Sequence, residues 1–177
     1  MQLSEFQKKW TNQTLSGMMP EEGESMKLAA YVLIGILSIQ AALTCSGTRP
    51  DNLGVRENGK LQDCPPTPNC VTSFCDIQDQ EHYIPPLSFS DQPEVAWKRL
   101  ESVVRSQERV EILQKSDFYL YAEFTSRILR FVDDVEFLME PKSKLIHVRS
   151  ASRLGRSDLG VNRKRIEKIR SAFSQSK

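Results

Sequence analysis

The sequence predicts an α+β domain in which an antiparallel sheet of about four strands carries two helices on one face. Apolar residues have helical spacing from residue 91 to 108, and they alternate with a period of two between residues 110 and 152. A second helical pattern follows residue 158. Because the strands follow one another without an intervening helix, the order favours an antiparallel sheet in a two-layer architecture.

The first helix has a clear start. Asp91 and Glu94 have the spacing of a capping box, and Pro93 fits the first turn, where its missing N–H costs nothing. The apolar face that follows consists of Ala96, Trp97, Leu100, Val103 and Val104. This pattern predicts a helix that packs on the sheet.

The strands are predicted from alternation and from the turns between them. They cover residues 110–115, 118–125, 128–139 and 145–152. The clearest turns are 116–117 and 140–144. The last helix is expected to begin near Asp158, a good N-cap residue, and to bury Ile166, Ile169 and Phe173.

The N-terminal part predicts export. Residues 28–43 are apolar but fall short of the roughly 20 residues that a membrane-spanning helix needs. Met26-Lys27 precedes this run and Cys45 follows it, as in a secretory signal with a lipoprotein-type end. We therefore expect lipidation of Cys45; an uncleaved anchor, or ordinary signal cleavage nearby, is the alternative.

This interpretation divides the chain into four parts. Residues 1–25 are either upstream of the true start at Met26 or an N-terminal extension, and residues 26–44 are the signal. Residues 45–60 are expected to be a polar tether, and residues 61–174 a single α+β domain. The expected location is the cell envelope, with attachment to a membrane through the lipid or the uncleaved signal.

The cysteines fit an oxidising compartment. Three prolines lie between Cys64 and Cys70, so this short segment is an ordered loop only if a covalent link closes it. We expect a Cys64–Cys70 disulfide, with Cys75 left over if Cys45 is lipidated. A zinc site of Cys64, Cys70, Cys75 and His82 is disfavoured, because the close Cys-x-x-Cys pair of structural zinc sites is missing.

The charge is distributed in two blocks. The chain has a formal net charge of +1, but residues 117–140 hold six acids and two bases, whereas residues 142–177 hold eleven bases and two acids. Adjacent blocks of opposite sign favour internal neutralisation. We expect no nucleic-acid partner, because no aromatic-basic module accompanies the charge.

Alternation also predicts a polar sheet face opposite the helices. Its side chains are Tyr119, Tyr121, Glu123, Asp134, Glu136, His147 and Arg149. Such a face is either a shallow ligand pocket or, as we favour, a solvent-facing surface of cross-strand ion pairs. If the protein is an enzyme, Asp134, Glu136, His147 and Arg149 are the catalytic candidates, with His147 the group that titrates near neutrality.

The run from Arg149 to Arg153 has two interpretations. The two arginines share a strand face, and with the free N–H groups of the last helix they could hold a phosphate or carboxylate. They could equally pair with Asp133, Asp134 or Glu136 of the neighbouring strand. The matching charge blocks favour the second interpretation.

Three segments carry a resemblance to a known family. They are 63–73 (DCPPTPNCVTS), 130–137 (RFVDDVEF) and 149–163 (RSASRLGRSDLGVNR). In this order they resemble the signature blocks of the domain-of-unknown-function family 1499, over residues 59 to about 173. The resemblance implies a bacterial envelope or membrane-attached protein, or one from a photosynthetic eukaryote, and implies no activity.

The family signature maps onto residues of all three segments. The matching residues are Cys64, Pro68, Asn69, Cys70, Asp133, Asp134, Glu136, Arg149, Ser150, Ser152, Arg153, Gly155, Asp158, Gly160, Asn162 and Arg163. Cys75 lies outside this pattern, and Arg156 stands where an aromatic residue is more usual.

We therefore predict an exported, lipid-anchored envelope protein whose domain binds a ligand or partner, with no cofactor and no metal. The predicted ligand-binding residues are Tyr121, Glu123, Asp134, Glu136, Arg149, Arg153, Asn162 and Arg163. The alternative is an envelope hydrolase that uses the carboxylate, histidine and arginine side chains of the exposed sheet face. A third hypothesis is a structural component that docks its basic last helix onto anionic lipid head groups.

Overall fold

The structure is a computed structural model that describes residues 26–27, 29–34 and 46–176. Residues 26–27 and 29–34 are helical and belong to one compact unit, whereas residues 46–176 belong to another. Among the described residues, no helix combines the length and apolar character needed to cross a bilayer. Cys45 and most of the predicted signal segment lie outside the described residues.

The domain is α+β with an antiparallel sheet, as predicted. The elements are β1 (Cys70–Thr72), β2 (Leu87–Ser88), α1 (Pro93–Arg105), β3 (Val110–Lys115), β4 (Tyr119–Thr125), β5 (Val132–Glu140), β6 (Leu145–Ser152) and α2 (Val161–Gln175). The strand order is β1-β6-β5-β4-β3, and β2 also pairs with β6. The sheet thus has six strands instead of about four, because β1 and β2 are too short to show alternation.

The predicted strand 128–139 begins too early. Residues 126–131 form the turn before β5, closed by a backbone hydrogen bond from Ser126 N–H to the Phe131 carbonyl. Arg130 has φ 58°, in the left-handed region, which an extended strand does not allow. The apolar run of Ile128, Leu129 and Phe131 therefore suggested a strand where the chain turns.

Both helix starts differ from the predicted caps. Asp91 forms an ion pair with Arg99 at 2.8 Å, and Gln92 is the N-cap residue before Pro93. At α2 the N-cap is Gly160, with φ 77°. Asp158 still supports this helix, because its carboxylate accepts hydrogen bonds from Gly160 N–H (2.9 Å) and Asn162 N–H (2.7 Å).

The hydrophobic core lies between the helices and one face of the sheet. The predicted helical positions, among them Trp97, Leu100, Ile166 and Phe173, are buried there against the inward-facing residues of β4, β5 and β6. The strand predicted from residue 118 begins one residue later, and Phe118, just before β4, is half exposed. Burial of these apolar side chains is the main stabilising contribution in such a domain.

The opposite face of the sheet is covered, contrary to the expectation of an exposed face. Leu61 is buried with Tyr119 and Tyr121, and Leu53, Phe74 and Leu138 pack around them. The segment expected to be a polar tether thus contacts the sheet along part of its length. We call residues 46–62 the covering segment.

Candidate functional site

The strand register brings the predicted polar residues together. Glu123 lies opposite Asp134 in the β4–β5 pair, Tyr121 lies opposite Glu136, and Glu136 lies opposite Arg149 in the β5–β6 pair. Asp134 and Arg149 therefore share one sheet face, as alternation predicts. The geometry of this face depends on how each carboxylate is paired.

Asp134 is held by Arg153 and Tyr121. The Arg153 guanidinium donates from Nε to Asp134 Oδ2 at 3.0 Å and from a terminal nitrogen to Oδ1 at 2.7 Å, which is a two-pronged ion pair. The Tyr121 hydroxyl donates to Oδ1 at 2.6 Å. Arg153 also contacts Glu123, so that one guanidinium serves two carboxylates.

Glu136 has three partners from three parts of the chain. The Tyr119 hydroxyl donates to Oε1 at 2.9 Å, and Arg149 donates to Oε2 at 3.2 Å. The backbone N–H of Gly54, in the covering segment, donates to Oε1 at 2.7 Å. A fully buried carboxylate needs such partners, because an unpaired one would lose its hydration without compensation.

Arg49 completes the charge balance of this face. It donates from Nε to Glu123 Oε1 at 2.7 Å and forms an ion pair with the same oxygen. We call the resulting set the ionic network; its members are Arg49, Tyr119, Tyr121, Glu123, Asp134, Glu136, Arg149 and Arg153. It contains three carboxylates and three arginines, so its formal charge is zero.

Burial and pairing shift the pKa values of several members. Desolvation, and then the neighbouring carboxylates, raise the pKa of Tyr119 and of Tyr121 well above the usual value. Burial alone would raise the pKa of Glu123, but hydrogen bonds from Arg153 and Arg49 lower it. Burial likewise opposes the charge of Arg153, and its bonds to Asp134 and Glu123 raise its pKa.

Neither a shallow pocket nor a solvent-facing surface describes this face. Glu136 is 0 % exposed and Asp134 is 1 % exposed, and the two tyrosines and Arg149 are also buried. The expected ion pairs with the arginines form, but the expectation that this face is open to solvent is wrong. This face is buried because the covering segment contacts it through Arg49, Gly54 and Leu61, although most of that segment is polar.

His147 lies on the same sheet face but outside the network. Its Nδ1 lies 3.0 Å from Ser73 Oγ and its Nε2 lies 3.4 Å from Glu140 Oε2. Its ring stacks on Phe74, with 4.1 Å between ring centroids. The catalytic set predicted from sequence thus does not form, and His147 has Ser73 and Glu140 as partners instead. Ser73 carries no signal in the sequence, because it directly follows the three-residue strand β1.

Two predicted ligand residues lie on the other sheet face. Asn162 is fully buried, and its amide donates to the Asn69 carbonyl (3.0 Å) and to Ser152 Oγ (3.0 Å). Its Oδ1 accepts from Ser150 Oγ at 2.6 Å. Arg163 instead donates to the carbonyls of Gln80 and Glu81. Residues 162 and 163 therefore cannot join Tyr121 and Glu123 in one binding site.

A second polar cluster forms around Asn162. Arg165 donates to Asn162 Oδ1 at 2.6 Å and forms an ion pair with Asp133. We call this set the amide cluster; its members are Asn69, Asp133, Ser150, Ser152, Asn162 and Arg165. It joins the loop before β1, the sheet and α2, so the predicted anion site at the start of α2 is filled by the chain's own groups, Asp158 included.

The disulfide forms as predicted. Cys64 and Cys70 are bonded, with 5.6 Å between their Cα atoms, and Cys75 is a free, partly buried thiol whose pKa is raised by burial. The disulfide removes two thiolates from the disfavoured zinc set. Within residues 46–176, no group of three side chains suited to metal binding was found.

Comparison with known proteins gives a family match. A family model described as a protein of unknown function (DUF1499) matches residues 60–173, which include both polar clusters apart from Arg49. No curated protein matches the chain.

Proposed function

Because the chain belongs to the DUF1499 family of proteins of unknown function, we propose its role from its own residues. The protein is an exported component of the cell envelope that is tethered to a membrane. Its α+β domain binds a ligand or partner and does not catalyse a reaction. Two independent sets of residues support the location and the role.

The location is supported by the disulfide and the N-terminal sequence. A Cys64–Cys70 bond persists in compartments that oxidise thiols and is rare in the cytosol. Residues 28–43 form the apolar part of an export signal, and Cys45 follows as the candidate site of lipid attachment. Together these features favour a tethered protein outside the cytosol.

One observation carries the non-catalytic role: the two buried carboxylates of the ionic network, Asp134 and Glu136, are already paired. Asp134 and Glu136 each already accept hydrogen bonds from an arginine and a tyrosine. A general acid or base must reach the substrate within hydrogen-bond distance. Carboxylates that are buried and fully paired serve the stability of the fold instead.

A groove at one end of the domain supports ligand or partner binding. It measures about 620 Å³ and lies between the start of α1 and the β3–β4 turn. Its lining combines the apolar side chains of Trp97, Phe118 and Met139 with charged ones, namely Glu94, Lys98, Lys115 and Asp117. Such a mixture suits a ligand or peptide with an apolar body and a polar end.

Fractionation combined with intact mass tests this proposal. We expect the protein in the membrane fraction, with an N-terminus at Cys45 that carries lipid mass. Alkylation without reductant should leave Cys64 and Cys70 unmodified and should modify Cys75 once the protein is unfolded. Recovery from the cytosol as a full-length chain with reduced Cys64 and Cys70 would contradict the proposal.

An envelope hydrolase is a second candidate because of the contacts of His147. With a proton on Nε2, His147 donates to Glu140 while Nδ1 accepts from Ser73 Oγ, which is the order of a nucleophile, a base and an orienting acid. Ser73 Oγ also accepts the Val148 N–H at 3.0 Å and so has a structural partner. Hydrolysis of short acyl esters that is abolished by Ser73→Ala in a folded protein would favour this candidate over the binding role.

A further inference from the structure

We propose that one end of the domain lies flat on a bilayer that contains anionic phospholipid. This membrane-facing end comprises residues 126–131, residues 153–160 and the first turn of α2. The inference rests on the proposed tethering and adds the surface that meets the lipid. Three observations support it: exposed apolar side chains, positive charges without ion-pair partners, and the position at which the chain enters the domain.

Exposed apolar side chains concentrate at this end. Ile128 is 85 % exposed and Leu159 is 86 % exposed, although both are large aliphatic residues. More than half of the exposed large apolar side chains of residues 46–176 lie here. They are Ile128, Leu129, Phe131, Leu154, Leu159 and Val161. Single exposed apolar residues are ordinary, but a group at one end marks an interaction surface.

These residues converge because the strands bring their loops to the same edge. The β4–β5 turn carries Ile128 and Leu129, and the chain after β6 runs beside it, since Arg153 N–H donates to the Val132 carbonyl at 3.2 Å. Val161 lines one groove with Thr125 and Ser126. The apolar residues of 128–131 and of 154–161 therefore lie at the same end of the domain, although the two segments are distant in sequence.

Positive charge surrounds the apolar group. Arg127, Arg130, Arg156 and Lys164 are exposed, and none has an ion-pair partner among the described residues. The nearby acids are already engaged, Glu108 by Arg109 and Asp133 by Arg165, while Asp158 accepts the N–H groups at the start of α2. The cations are thus free to meet lipid phosphates.

A basic groove lies at the rim of the same end. It measures about 420 Å³, and its charged lining consists of Lys164, Lys168 and the two ion pairs Arg109–Glu108 and Arg165–Asp133, a net charge of +2. The remaining cations of α2 are engaged elsewhere, since Arg163 and Arg170 donate to backbone carbonyls of the loop between β1 and β2. We therefore expect membrane contact at the end of the domain where α2 starts, and not along the whole of this helix.

The chain enters the domain at this end. Gly47 packs so closely that a β-carbon placed on it would lie 2.9 Å from Arg153 Cβ and 3.1 Å from Leu154 Cγ. Cys45, the candidate site of lipid attachment, is only two residues before Gly47 in the sequence. A membrane attachment there holds the Leu154 side of the domain next to the bilayer.

The expected arrangement places aliphatic side chains at the boundary between head groups and acyl chains, with arginines among the phosphates. Each cation near an anionic surface strengthens attachment by roughly fivefold. The ligand groove between α1 and the β3–β4 turn is at the opposite end of the sheet, so this orientation leaves it exposed to solvent.

Site-specific labelling of the full chain in vesicles tests the orientation. An environment-sensitive fluorophore is attached to Ile128→Cys, to Leu159→Cys or, as the distal control, to Phe118→Cys, each in a Cys75→Ser background. That background without an added cysteine measures labelling at Cys45. In vesicles of phosphatidylcholine and phosphatidylglycerol, we expect blue-shifted emission and lost acrylamide quenching at positions 128 and 159, and neither at 118.

Charge reversal provides the matched comparison. The triple variant Arg127→Glu, Arg130→Glu and Arg156→Glu should restore quenching at position 128, whereas Lys142→Glu in the distal β5–β6 turn should not. Vesicles of phosphatidylcholine alone should protect the labels less.

The outcomes separate the two proposals. A chain that does not co-sediment with membranes would contradict the tethering itself. A membrane-bound chain with equal quenching at positions 128, 159 and 118 would overturn only the docking end. Protection that rises with the protein-to-lipid ratio would assign this end to a second copy of the chain and would also overturn the proposal.

Discussion

Two polar clusters lie back to back on the same two strands, and they are built in different ways. Consecutive residues of β5 and β6 supply opposite clusters: Asp133 and Ser150 face α2, whereas Asp134 and Arg149 face the covering segment. The ionic network consists mainly of full charges, and the amide cluster mainly of neutral groups around Asn162. Both clusters are buried, but they differ in the charge of the groups that they bury.

The two clusters also have different covers. A regular helix covers the amide cluster, and its anchoring residues Asn162 and Arg165 are three positions apart on it. The ionic network is covered by residues without regular structure, which contribute one exposed arginine and one backbone N–H. We therefore expect the ionic network to be more costly to break at its centre and more tolerant of change at its edge.

The largest expected effect follows from removing Arg153. The variant Arg153→Met leaves Asp134 buried beside only the Tyr121 hydroxyl, and loss of one partner of a buried pair costs about 3–5 kcal/mol. Urea denaturation of the full chain measures the free energy of unfolding. Arg127 is an exposed arginine without an ion pair among the described residues, so Arg127→Met is the control. An effect of Arg153→Met as small as that of Arg127→Met would contradict a structural network.

Substitution of Asn162 should destabilise the protein less. Asn162→Leu keeps the volume of the side chain but removes a hydrogen-bond partner from four groups: the Asn69 carbonyl, Ser150, Ser152 and Arg165. Because buried polar groups are then left unsatisfied, we expect a loss of about 2–3 kcal/mol in total. Asn52→Leu, at an exposed position, should stay within about 0.5 kcal/mol of the parent. A loss at Asn162 greater than that at Arg153 would reverse the proposed order of the two clusters.

The disulfide should matter for one cluster more than for the other. Cys64→Ser with Cys70→Ser opens a short loop and should cost about 2 kcal/mol. Because Asn69 lies beside this link and bonds to Ser152 and Gly155, the change should be non-additive with Asn162→Leu and additive with Arg153→Met. Double-mutant cycles measure both combinations, and equal coupling to the two clusters would contradict this separation.

The smallest expected effect is at the edge of the ionic network. The Arg49 side chain is 54 % exposed, so that its pair with Glu123 is screened by solvent. Arg49→Ala should cost no more than about 1 kcal/mol, and the loss should shrink further in high salt. A loss as large as that of Arg153→Met would mean that the covering segment is as important as the centre of the network.

Much of the sheet could be predicted because its physical signal is local. Alternation assigned Tyr121, Glu123, Asp134 and Arg149 to one face, and this assignment depends only on the two-residue period of a strand. The opposing charge blocks likewise anticipated that the acids of β5 pair with arginines after residue 148. The strand register then determined which acid meets which arginine.

The contact between the covering segment and the ionic network could not be predicted in the same way. Residues 46–60 have no apolar periodicity, and the bond from Gly54 to Glu136 uses a backbone N–H that every such residue carries. Asn162, a residue of the family signature, was predicted to bind a ligand but is fully buried. Its burial depends on Asn69, which is distant in sequence.

Alkaline titration of the tyrosines tests the central claim most directly, since Tyr119 and Tyr121 report the state of the ionic network. Their pKa values are raised in the folded protein, so the unfolded chain ionises first and stability should fall as the pH rises past about 10. Absorbance of tyrosinate should therefore show that Tyr119 and Tyr121 ionise only together with unfolding, and Tyr119→Phe should remove one of these two ionisations. Reversible ionisation of Tyr119 and Tyr121 near pH 10 in a folded protein would contradict a buried network.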